Sequence, residues 1–285
     1  MSGTIAPPGA QVTLRKVHVR STRRQGGAAQ SGMMTKMPLR RPRRRTAIVI
    51  ATILAIAALL VGVFGWLGAW NASPFVDIPA RENGNQRYAA VLLSGDMGLR
   101  AGLGGELASR LADHGIATVG VNSLNYFKVR RTPEDVSTML AEAIHRAMTL
   151  GHTDRVIVLG QSFGSDMVHV GLEHLPADLR RHVSMVVLTV PTRTVFLRVS
   201  PLEWLDETPP DAPALASASK LGWVPVVCIH GQDEPESLCP LLHLPRLTQI
   251  VLPGDHYLNK DADRLFGAIR GALAAHTLAG PETAR

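Results

Sequence analysis

Along the chain the polar and apolar positions change rhythm several times. The sharpest change is at 46–70, "TAIVIATILAIAALLVGVFGWLGAW", 25 residues without a charge. At ~1.5 Å rise per residue, a helix of that length crosses a hydrocarbon core of ~30 Å with some tilt. It is apolar on every face, unlike the core helix of a soluble domain, and longer than the ~7–15 apolar residues of a signal peptide. Its exit, "GAWNASP", offers no clean cleavage site, so the pattern predicts an uncleaved transmembrane anchor. Beyond it, short runs that are apolar throughout alternate with amphipathic stretches. The runs are 87–94, 116–121, 155–160, 183–190, 224–231 and 248–254; the amphipathic stretches are 103–115, 132–150, 163–174 and 260–275. Uniformly apolar strands separated by helices describe a mostly parallel sheet covered on both faces, an α/β fold. The segment 191–220, with Pro201, Pro209, Pro210 and Pro213, breaks the alternation and reads as an excursion or cap over the C-terminal edge of that sheet.

Charge divides the chain further. The formal net charge is +7, but eleven of the Lys and Arg residues and none of the acids lie in 1–45, leaving 19 basic against 23 acidic residues. The arm 1–45 reads as disordered and basic, 46–70 as the anchor, and 73–285 as one mildly acidic domain that gives no reason to expect nucleic acid. The cluster "RRPRRR" directly before the span puts the N-terminus on the cytoplasmic side and the domain outside. The two cysteines, Cys228 and Cys239, then lie in an oxidising compartment, and their even number and close spacing favour a disulfide.

Candidate chemistry sits at the strand ends. In "VIVLGQSFGSDM" (156–167) the serine of Gly-x-Ser-x-Gly falls between a strand and a helix, the position of the nucleophile elbow in α/β-hydrolases. Gly160 and Gly164 suit a turn too tight for side chains, and the N–H of Phe163 at the helix start can donate to an oxyanion. The loop after the first strand, "LLSGDMG" (92–98), supplies Asp96 as the second backbone donor. A serine hydroxyl needs a base, and the base needs a carboxylate to orient it. Both follow in the order Ser, acid, His: "GQDEPESLC" carries Glu234 or, alternatively, Asp233, and "PGDHYLNKD" carries His256. Asp166, one helical turn past Ser162, is a candidate counter-charge for a cationic substrate group, with a solvated or capping role as the alternative. No cofactor or metal is called for.

Several segments in order, "LSGDMG", "GVNSLNYFKVRRTPED", "VIVLGQSFGSDM", "EHLP", "EWL", "VCIHGQDEPESLC" and "LPGDHYLNKD", resemble the VirJ and AcvB virulence-associated proteins of bacteria. The chain departs from that pattern at Met97, Leu99, Lys128 and Gln161. The resemblance implies an α/β-hydrolase in the periplasm, held at the inner membrane, with a triad on Ser162, Glu234 or Asp233, and His256, and with Cys228 and Cys239 paired. For AcvB-like members it implies hydrolysis of the aminoacyl ester of lysyl-phosphatidylglycerol. The expected partner is therefore a phospholipid, with secretion-system or other periplasmic proteins as a further class. Two alternatives stand beside this expectation: a non-catalytic VirJ-like partner of a secretion apparatus, and a generic lipase or thioesterase.

Overall fold

The computed structural model describes residues 44–81, 87–199 and 209–278. Apart from Arg44 and Arg45, the basic arm lies outside these residues, as does the "EWL" segment with its neighbouring acids. Of the described residues, 44–49 group apart from the unit that runs from Ile50.

Helix α1, Arg44–Trp66, has no buried residue and is long and apolar enough to cross a membrane. It stops where Gly68 takes φ 85°, a left-handed conformation that costs a glycine nothing. There Ala69 N–H donates to Phe64 O (3.0 Å) and Gly68 N–H to Gly65 O (3.0 Å), the paired bonds of a Schellman cap.

The elements that follow are β1 (Phe75–Ile78), β2 (Ala89–Leu93), α2 (Leu103–Asp113), β3 (Thr118–Val121), α3 (Ser123–Tyr126), α4 (Pro133–Gly151), β4 (Val156–Gln161), α5 (Phe163–Glu173), α6 (Ala177–Arg180) and β5 (Val183–Thr189). After them come the two-residue strands β6 (Thr194–Val195) and β7 (Ala212–Pro213), then α7 (Ala214–Ala218), β8 (Val226–Gly231), β9 (Leu247–Leu252) and α8 (Ala262–Leu278). Seven strands form one sheet in the order β1-β3-β2-β4-β5-β8-β9, parallel except for β1, while β6 and β7 form a separate ribbon.

Strand β2 shows why the sheet folds this way. All its residues are buried, and they alternate between two cores. Val91 and Leu93 join α4 and α5 on one face, whereas Ala90 and Leu92 join α2 and α8 on the other. That is the period of two expected of a doubly covered strand.

Three features depart from the pattern reading. The antiparallel edge strand β1 is not visible in the periodicity, because only two of its four residues are even partly buried. Helix α3 is a single turn, capped by Asn122. The excursion after β5 is not simply a cap: its Ala214 and Ala218 are fully buried and, with Leu221 directly after it, belong to the core on the α5 face.

Candidate active site

Register brings the site together. Leu93 of β2 lies beside Gly160 of β4, Gln161 beside Thr189 of β5, and Gly231 of β8 beside Leu252 of β9. The loops leaving these strands therefore meet at one edge.

Ser162 occupies the turn between β4 and α5 at φ 53°, ψ −125°, a positive φ that a residue with a Cβ adopts only when its surroundings impose it. The surroundings do so. A Cβ on Gly160 would lie 2.4 Å from Ser165 Cα, and one on Gly164 would lie 2.3 Å from Leu93 O. Ser162 N–H donates to Thr189 O (2.9 Å), and Ser165 Oγ both donates to Thr189 O (2.8 Å) and accepts from Thr189 N–H (2.9 Å). The elbow is thus clamped to β5, and the close approach at Gly164 sets the first turn of α5 against the end of β2.

His256 is on the loop after β9. Its Nε2 is 2.7 Å from Ser162 Oγ, and its Nδ1 is 2.5 Å from Glu234 Oε1. The other oxygen of Glu234 accepts the N–H of Gly231 at 3.2 Å, and the side chain is 4% exposed, so the carboxylate is fixed in position. Asp233, the alternative acid, is exposed and meets this loop through its backbone, N–H to Gly254 O at 3.0 Å. Gly231 is needed where the two loops cross, since a Cβ there would lie 2.3 Å from Asp255 O. Burial by itself would lower the His256 pKa. The hydrogen bond and charge of Glu234, with the charges of Asp166 and Asp96 behind them, outweigh it and raise the pKa above the ordinary histidine value.

Phe163 is the first residue of α5, where N–H groups lack partners within the helix. Asp96 lies in a turn closed by Gly98 N–H on Gly95 O (3.0 Å), and its carboxylate accepts Met97 N–H (2.9 Å). Asp166 is buried, not solvated. One oxygen accepts Thr192 N–H (3.0 Å) and the other Thr192 Oγ–H (2.8 Å), and burial raises its pKa against those bonds and nearby His169. Cys228 and Cys239 are joined by a disulfide with their Cα atoms 5.6 Å apart, closing a ring that contains Glu234.

The residues that sequence reasoning missed are those holding the Asp96 loop. Ser123 N–H donates to Ser94 Oγ (3.0 Å) and Ser123 Oγ to Ser94 O (2.6 Å), tying the ends of β2 and β3. Asn122 and Asn125, each 5% exposed, turn their amides to the exit of α1. Asn122 Nδ2 donates to Leu67 O (2.9 Å), and Asn125 Nδ2 faces the carbonyls of Gly68, Ala69 and Asn71 at 3.2, 3.1 and 2.8 Å. Arg100, at the far side of the loop, donates to Trp66 O (2.6 Å). Leu67, Ala69 and Leu124 are buried together, with Met97 and Ala101 packed against them. Asn122 fills the space between Gly68 and Gly98, where a Cβ on either glycine would lie within 2.7 Å of it. Two asparagines within four residues at a strand end were the available signal.

Among solved structures, the chain is similar to Est1E from Butyrivibrio proteoclasticus (14% identity, TM-score 0.55, covering 72% of this chain and 94% of that one). It is similar also to proline iminopeptidase from Mycobacterium smegmatis (13%, 0.52, 72% and 95%) and to MenH from S. aureus (10%, 0.50, 71% and 98%). Likeness at such low identity establishes the fold, that of the α/β-hydrolases. No curated protein matches the chain significantly. Residues 87–276, which carry every strand of the sheet except the edge strand β1, the elbow and the loops of Glu234 and His256, match the family described as bacterial virulence protein (VirJ); this chain belongs to the VirJ family.

Proposed function

We propose that this protein is a membrane-anchored periplasmic serine esterase that cleaves the aminoacyl ester of lysyl- or alanyl-phosphatidylglycerol. The observation that carries the proposal is the continuous hydrogen-bonded path Ser162–His256–Glu234 at the edge where the exit of α1 is docked. An anchor fixed there holds the site at the bilayer surface, where ester lipids have a high effective concentration.

In this reaction Ser162 Oγ attacks the ester carbonyl and its proton passes to His256 Nε2. Glu234 holds the ring and stabilises the imidazolium. The N–H groups of Phe163 and Asp96 receive the oxyanion. Collapse leaves the aminoacyl group on Oγ, and His256 returns the proton to the departing glycerol oxygen, regenerating phosphatidylglycerol. Water activated by His256 then releases the free amino acid. The substrate's amine is cationic, and the half-exposed Asp96 and buried Asp166 supply negative potential at this edge.

The test is release of amino acid from lysyl- and alanyl-phosphatidylglycerol by the full chain in vesicles, with Ser162→Ala as control. Release by the parent and not by the folded variant is the expected result. Equal release from both makes Ser162 a turn residue and overturns the serine-esterase assignment, and none from either transfers it to a non-catalytic VirJ-like partner of a secretion system.

A further inference from the structure

The opposite edge of the sheet, where β4, β5, β8 and β9 begin, holds an open cavity of about 680 Å³. Its ionisable lining, among the described residues, is Arg155, Arg180, Arg181, Arg246 and His276, without an Asp or Glu. Topology collects them. Arg155 directly precedes β4, Arg180 and Arg181 lie just before β5, and Arg246 directly precedes β9, all within the run of four adjacent strands β4-β5-β8-β9. None of the four arginines forms an ion pair with a described residue.

Backbone carbonyls and rings hold them instead. Arg180 donates to Leu175 O (3.0 Å) and Glu173 O (2.9 Å), with its guanidinium 5.3 Å from the Trp223 ring. Arg246 donates to Trp223 O (2.6 Å), and Arg155 lies 4.9 Å over the Tyr88 ring. A guanidinium has five N–H donors, so these contacts orient the groups and leave donors for a ligand. Local contacts account for one donor of Arg246, on Trp223 O, and for two of Arg180, one of them on the last carbonyl of α5, but not for Arg155 and Arg181, which among the described residues reach no carbonyl of a helix end. The field they make is visible at His276, whose pKa is lowered by burial and then by Arg155 and Arg246.

We propose that this cavity is a binding site for a compact polyanion with the chemistry of a phosphate ester or pyrophosphate, gripped by Arg155, Arg181 and Arg246 against a wall of Arg180 and Trp223. Planar guanidinium forks match pairs of phosphate oxygens, and prior orientation removes part of the entropic cost of binding. The site is at the other end of the strands from Ser162, so it is separate from the ester site and independent of that reading.

The experiment titrates pyrophosphate into the full chain in nanodiscs of neutral lipid and follows binding by calorimetry. One saturable site is expected, weakened about tenfold by each of Arg155→Gln and Arg246→Gln, since a lost charged hydrogen bond is worth that much. Arg181→Ala, which loses only an exposed contact to His182, is the variant that leaves the fold intact and must weaken binding as well. Ester hydrolysis is unchanged in all three. A second arm adds vesicles containing phosphatidic acid: competition with pyrophosphate identifies a lipid phosphate as the occupant, and its absence identifies a soluble one. No saturable binding, or binding unaffected by the paired Arg155→Gln and Arg246→Gln changes, overturns the proposal.

Discussion

The two edges of the one sheet carry opposite chemistry. Where strands end and helices begin, the chain gathers Ser162, His256 and the acids Asp96, Asp166 and Glu234, with Ser162 at the N-terminus of α5. Where helices end and strands begin, it gathers four arginines around a cavity. Part of this division follows from helix polarity, because free N–H groups at helix starts favour an oxyanion and free carbonyls at helix ends favour cations. Arg180 on Glu173 O is an instance of the second. The remainder does not follow from polarity. A parallel sheet separates its loops into two sets that share a core but no side chains, so each edge can carry its own chemistry.

The most severe way to test that independence is to remove the nucleophile or the base. Ser162→Ala and His256→Ala should each lower ester hydrolysis by on the order of 10⁶, while pyrophosphate binding and thermal stability stay close to the parent's. Loss of anion binding in either variant would show that the edges are coupled.

Glu234→Gln comes next, with a loss of about 10⁴, as when the orienting acid of a triad is neutralised. It also carries a pH signature. Glu234 holds the His256 pKa up, and the base works only when deprotonated, so the acidic limb of the kcat/KM profile should move to lower pH in the variant. Asp233→Asn should leave both rate and profile near those of the parent; a larger effect there than at Glu234 would reassign the acid.

Opening the ring around Glu234 with Cys228→Ser and Cys239→Ser should cost roughly 2–4 kcal/mol of stability, read as a lower midpoint in denaturant. The smallest effect sharpens the boundary of the catalytic edge. Asn125→Ala strands the exit carbonyls of α1 and should cost about 1–3 kcal/mol, with a loss of about tenfold in hydrolysis of a bilayer ester if the Asp96 loop depends on that contact. A thermal shift without any change in rate would make Asn125 purely structural.

The sequence by itself carries whatever depends on periodicity and chain order. The run up to Trp70 is legible as a span because none of its residues is charged and nearly all are apolar. The buried strands are legible because cover on both faces requires continuous apolar runs. Ser162 stands out because a turn this tight needs Gly160 and Gly164, and His256 because it follows the last strand. Three things are not fully legible. The spacing of three from Gly231 favours Glu234, but Asp233 is the adjacent carboxylate, and the crossing of two loops at Gly231 decides between them by pointing Glu234 at the imidazole and leaving Asp233 exposed. Asn122 and Asn125 look like ordinary polar residues at a strand end until the exit of α1, more than fifty residues earlier, presents its carbonyls to them. The arginines of the opposite edge are scattered from Arg155 to Arg246 and make a cavity only through the strand order. In each case the deciding contact joins segments far apart in the chain, and periodicity describes which face a residue takes but not which distant segment meets it there.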